Sequence, residues 1–128
     1  MYWLDNVSSS LLHADMNGLW ARQQAISDNM ANFETPGYKQ KDVSFEGQLR
    51  AEMANAGNLP TKTINRIENV SPLLTQEENE KYRADGNGVD LEQSMIDMFR
   101  TTTNYSYSIQ MNDDYFNRLR AAITGAAK

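Results

Sequence analysis

Ten positions near the C-terminal end of the chain constrain its fold more than any others. Leu91, Met95, Met98, Thr102, Tyr105, Ile109, Asn112, Phe116, Leu119 and Ile123 follow one another at intervals of four and three without a slip. That alternation averages 3.5 residues, the period of a helix that keeps one stripe against a partner helix. Eight of the ten are apolar or aromatic. A helix from Leu91 to Ile123 would extend about 50 Å. Asp90 precedes it and Gln93 follows three residues on, the pattern of a capping box, with Glu92 in the positive first turn. Gly125 is placed to release its far end.

The N-terminal segment offers a partner. From Asp5 to Met30 there is no proline and one glycine, Gly18. Leu12, Met16, Leu19, Gln23, Ile26 and Met30 are spaced 4, 3, 4, 3, 4, a second seam with one polar position at Gln23. Its helix would run about 39 Å and stop near Asn32, because Pro36 and Gly37 follow closely. The expected fold is all-α. Two long terminal helices pair as an antiparallel coiled coil through Leu12, Met16, Leu19, Ile26 and Met30 on one side. Leu91, Met95, Met98, Tyr105, Ile109, Phe116, Leu119 and Ile123 form the other.

Residues 33–88 hold all three prolines and five of the seven glycines. Asp42-Val43-Ser44-Phe45-Glu46 alternates polar and apolar, which suits a short strand. Gln48 to Ala56 suits a short helix. Gly57 to Gly88 has little period of either kind and reads as an irregular loop with room for a short hairpin. The expected division is residues 1–32 as the N-terminal helix, 33–88 as an irregular connecting segment, and 89–128 as the C-terminal helix. The two helices together form one α-domain.

Composition limits what such a fold can do alone. Leu, Ile, Val and Phe make up 24 of 128 residues, or 19%, just under the roughly 20% at which a chain struggles to bury a core. A helix pair also leaves Trp20, Phe99, Met111 and Tyr115 beside or off the seam, where more protein is needed to cover them. Both facts point to assembly. A net charge of −5 and a pI near 4.8 argue against nucleic-acid binding, which needs clustered Lys and Arg. No run approaches the ~20 apolar residues that span a bilayer. Met1-Tyr2-Trp3-Leu4-Asp5 has neither the basic nor the apolar region of a cleavable secretory signal. There is no cysteine, hence no disulfide, thiol nucleophile or thiolate metal site.

The remaining candidates for chemistry are thin. His13 reads as an ordinary helix-surface or interface histidine. Glu77, Glu78 and Glu80 with Lys81 read as a solvated run. Asp85-Gly86-Asn87-Gly88-Val89-Asp90 superficially resembles a calcium loop, but Val89, Asp90 and Ile96 stand where an oxygen ligand, Gly and Glu are required. It reads instead as a flexible turn into the Asp90 cap. No catalytic residue, cofactor or metal is expected, and the chain reads as a non-enzyme.

Thr35-Pro36-Gly37-Tyr38 is different in kind. Pro second and Gly third fit a type II turn, in which Gly supplies positive φ. Asn29 and Asn32 precede it on one helix face, where amides can bond the last free carbonyls. Asn29, Asn32, Thr35, Pro36, Gly37 and Tyr38 are therefore expected to form a packed joint. The run Ala25-Ile26-Ser27-Asp28-Asn29-Met30-Ala31-Asn32-Phe33-Glu34-Thr35-Pro36-Gly37-Tyr38-Lys39 resembles the signature of bacterial flagellar rod and hook proteins. Lys39 to Glu46 continues like the proximal rod protein of the B type. Asp85 to Glu92, with the long helix ending Leu119-Arg120-Ala121-Ala122-Ile123, is similar to that family too. The chain lacks the long inserted domain of hook and distal rod proteins. The C-type proximal rod protein, the near competitor, usually lacks so plain a Thr-Pro-Gly-Tyr joint.

The resemblance implies a structural subunit of the flagellar basal body's proximal rod. It implies export by the flagellar type III system without a cleaved signal. It places assembly at the rod base, for torque transmission and axial growth, in a rod that spans the periplasm. Implied partners are copies of itself, other rod proteins, and rod-base and export-gate components in the MS ring, with no nucleic acid and no direct membrane insertion. The alternative is a soluble coiled-coil adaptor or secretion chaperone, which would share the heptads but has no need of the joint.

Overall fold

The computed structural model describes residues 7–55, 60–76, 84 and 86–125. The elements in chain order are α1 (Val7–Ala31), β1 (Lys41–Ser44), α2 (Glu46–Asn55), α3 (Pro60–Glu68), β2 (Leu73–Gln76) and α4 (Leu91–Thr124). The chain is mostly helical, with long helices near both ends and a small sheet between them. The run Glu77 to Lys81, Asp85 and the first residues of the chain lie outside the described residues.

α1 and α4 pack antiparallel. Asp15 in the first half of α1 accepts a 2.6 Å hydrogen bond from Ser108 of α4, while Ile26 and Asn29 near the end of α1 face the Ser94 end of α4. The α4 cap forms as its residues dictate. Asp90 accepts from the Gln93 N–H at 3.0 Å, satisfying one of the free donors of the first turn. The Gln93 side chain turns to Asp97 rather than back to the cap. Gly125 closes the helix at φ +65°, the left-handed conformation of a C-terminal stop.

The middle segment is more ordered than its lack of period suggests. Between Gly57 and Gly88, where an irregular loop is expected, stand α3 and β2. In α3, Thr63 and Ile67 are buried and Ile64 is half-buried on one side, a helical spacing too short and too diluted by Thr, Asn and Lys to stand out. β2 pairs antiparallel with β1 in the register Lys41↔Gln76 to Ser44↔Leu73.

This segment supplies the core. Val43 and Phe45, two apart and therefore on one face of the extended chain, pack with Leu49 of α2, Ile67 of α3, and Leu19 and Ala25 of α1. Val7, Leu11, Ala14, Ala21, Val70 and Tyr105 surround them. Phe45 reaches α1 where Gly18 leaves room for it: a Cβ at Gly18 would overlap the Phe45 ring. Arg22 lies over the same ring at 5.0 Å. α1 is thus held between the middle segment and α4.

Candidate functional site

The joint after α1 is a small, fully bonded unit. Asn29 is buried, and its side-chain amide behaves like a neighbouring strand. Nδ2 donates to the Lys41 carbonyl at 2.7 Å and Oδ1 accepts the Lys41 N–H at 2.9 Å. The Tyr38 hydroxyl donates to the same oxygen at 3.4 Å. The Asn32 side-chain amide donates to the Asp28 carbonyl at 2.8 Å, which also takes the Asn32 backbone N–H at 3.1 Å, and its oxygen accepts from the Thr35 hydroxyl. The turn Thr35-Pro36-Gly37-Tyr38 is closed by the Tyr38 N–H on the Thr35 carbonyl at 3.3 Å. Gly37 sits at φ +72°, as a type II turn requires of its third residue. Asn32 and Tyr38 are half-buried, and Thr35, Pro36 and Gly37 are exposed.

Sequence reasoning missed the residue that completes the joint. Asn87 is 0% exposed. Its Nδ2 donates toward three carbonyls, those of Asn32 and Phe33 at 2.9 Å and Thr35 at 2.7 Å. Its Oδ1 accepts the Val89 N–H at 2.7 Å, and the Gly88 N–H donates to the Tyr38 carbonyl at 3.0 Å. The lead-in to α4 is therefore fastened to the turn that ends α1. The local signal was the Asn-Gly pair with the Asp90 cap behind it, but nothing in the sequence gives its partners more than fifty residues upstream.

The second feature is the α4 surface. On α1, Leu19 and Ile26 are buried, and Leu12, Met16 and Met30 are half-buried. On α4, Leu91, Met98, Tyr105 and Leu119 are half-buried, but Met95, Ile109, Phe116 and Ile123 are exposed. The buried α4 residues are Ser94, Thr101 and Ser108, seven apart. The contact line with α1 thus runs Leu91, Ser94, Met98, Thr101, Tyr105, Ser108. It shares every second position with the apolar alternation and is turned toward small polar residues at the others. Small side chains let two helices approach closely, and Ser94 and Ser108 bond to Asp90 and Asp15. The larger apolar residues are left on one flank, with Phe99 beside them at 75% exposure. Trp20 of α1, 55% exposed, lies on the Tyr105 side of the pair.

Among the described residues two ion pairs tie α1 to the middle segment, Lys41 with Asp28 at 2.8 Å and Arg22 with Glu46 at 2.6 Å. Arg22 donates to both Glu46 carboxylate oxygens, at 2.6 and 2.7 Å, and to the Val43 carbonyl. Burial pushes the Glu46 carboxyl up, but the hydrogen bond and charge of Arg22, with backbone N–H groups at the start of α2, hold it below its ordinary range. Among the described residues, no cluster of three or more His, Cys, Asp or Glu could hold a metal ion. Among them too, no helix is long and apolar enough to cross a membrane. His13 is exposed.

No family model matches the chain. It is similar to curated proteins along nearly its whole length. The flagellar basal body rod protein FlgB of Bacillus subtilis (strain 168) is 27% identical over 125 residues, covering 95% of this chain and 93% of that protein. FlgB of Borrelia hermsii is 28% identical over 129 residues, covering 91% and 96%. FlgB of Aeromonas hydrophila is 29% identical over 109 residues, covering 81% and 83%.

Proposed function

From the chain's membership of the FlgB family of flagellar basal body rod proteins, we propose that it is a structural subunit of the proximal rod. It is exported through the flagellar type III apparatus and docks at the rod base in the MS ring. The observation that carries this reading is the match to rod proteins over 91–95% of this chain and 93–96% of theirs. The geometry supports it. An apolar flank along a 34-residue helix stays exposed among the described residues, and exposed patches of this kind mark contact with other protein. Docking beside copies of itself and other rod subunits covers that flank. Contacts spread along a long helix carry torque better than one small patch. The subunit's role is scaffolding and not catalysis.

The test is isolation of intact basal bodies followed by quantitative mass spectrometry for this chain. Enrichment at a few copies per basal body is the expected result. Recovery only from the soluble cytosol, in cells whose basal bodies are complete, would overturn the reading and leave a soluble adaptor or secretion chaperone.

A further inference from the structure

The sequence contains two Asn-Gly pairs, Asn17-Gly18 inside α1 and Asn87-Gly88 in the joint. An Asn followed by Gly is the pair most prone to intramolecular deamidation, because Gly carries no side chain to obstruct attack by its own nitrogen. We propose that Asn87 is a deamidation site gated by folding of the joint. It reacts while the chain is open and is protected once the joint closes, and its product cannot close the joint again.

The reaction needs no partner but water. The Gly88 backbone nitrogen bonds to Asn87 Cγ as the Cγ–Nδ2 bond breaks, and Nδ2 leaves as ammonia with the proton that Gly88 loses. The five-membered imide then takes up water and opens at either carbonyl, giving aspartate or isoaspartate at position 87.

The closed joint blocks each requirement. The attacking nitrogen is occupied, since the Gly88 N–H donates to the Tyr38 carbonyl at 3.0 Å. The electrophile is held away from it, because Oδ1 is fixed on the Val89 N–H and Nδ2 on the carbonyls of Asn32, Phe33 and Thr35. The side chain is 0% exposed, so water does not reach Cγ. The product fails for a complementary reason. A carboxylate in place of the amide turns oxygen toward three carbonyl oxygens that now receive N–H groups at 2.7 to 2.9 Å. Only the other oxygen keeps the Val89 N–H, so the new charge is held against acceptors on its Nδ2 side. A chain left unfolded before assembly would therefore lose the fastening between α1 and α4.

The full-length chain is incubated across a series from sucrose, which favours the folded state, to urea. Helix content is followed by circular dichroism, and deamidation at Asn87 by peptide mass spectrometry. Reaction through an opened joint makes the rate follow the open population, so it should rise at least about tenfold from the folded to the unfolded end. A rate that does not change as helix content changes would overturn the proposal. In urea, Gly88→Ala should slow reaction at Asn87 several-fold; an unchanged rate excludes attack by the Gly88 nitrogen. Deamidated wild-type chain, returned to folding conditions, should lose hydrogen-exchange protection at Gly88 and Val89. Retained protection there would show that the joint accepts the carboxylate and would overturn the second half of the proposal.

Discussion

Gly18 shows how a single residue can oppose its own element. In an isolated helix, alanine is favoured over glycine by about 1 kcal/mol, so Gly18→Ala looks stabilising from sequence. The Phe45 ring decides otherwise. It occupies the space of the missing Cβ and is 1% exposed, so it has no room to turn away, and overpacking of this kind costs about 1–3 kcal/mol. Net destabilisation of up to about 2 kcal/mol is expected in urea unfolding of Gly18→Ala, and a more stable variant would mean the ring yields. The residues of the joint divide the same way. The Pro36-Gly37 turn was legible because its geometry is local to four residues. The amides of Asn29 and Asn32 were legible as a pair on one helix face. Their completion by Asn87 was not, because hydrogen-bond partners 52 to 55 residues apart leave no periodic trace.

At the scale of elements, the long helices could be read and the short ones could not. α1 and α4 repeat their pattern over many turns, so a few polar interruptions do not hide it. α3 has nine residues and β2 four. The exposed Leu73 and Leu74 of β2 pair by backbone with β1, which no side-chain pattern records. What ties these pieces to α1 includes the Arg22–Glu46 pair. Because the folded-state pKa of Glu46 is lowered, the stability it contributes is complete above the ordinary carboxylate range and is lost as pH falls through the lowered value. Glu46→Gln should therefore lower Tm at neutral pH and lose that difference as the medium is acidified. The effect should stay under about 1 kcal/mol, because the Glu46 side chain is half exposed and water screens the pair. A Tm difference independent of pH would mean that the charge on Glu46 contributes nothing.

For the whole molecule, the question is which surface the chain uses on itself and which it leaves. Phe116 is 48% exposed on the free flank of α4. Phe116→Asp should leave unfolding of the soluble chain within about 0.5 kcal/mol of wild type, as surface substitutions do. It should at the same time remove the chain from purified basal bodies. A large loss of stability in the soluble chain would place Phe116 in the chain's own core, and normal incorporation would show that this flank meets nothing in the rod. The sequence by itself determined two long helices and their antiparallel pairing, the Asp90 cap and Gly125 stop of α4, and the turn between α1 and β1. These follow from local conformational preference and from periodicity repeated over many residues. Only the tertiary structure decided that the core lies between α1 and the middle segment, that Asn87 fastens the two ends together, and that α4 meets α1 through Ser94, Thr101 and Ser108. An apolar stripe states that a face must be covered but carries no record of which neighbour covers it. That choice is made by steric fit, where small side chains admit a helix closely and the large ones remain outside.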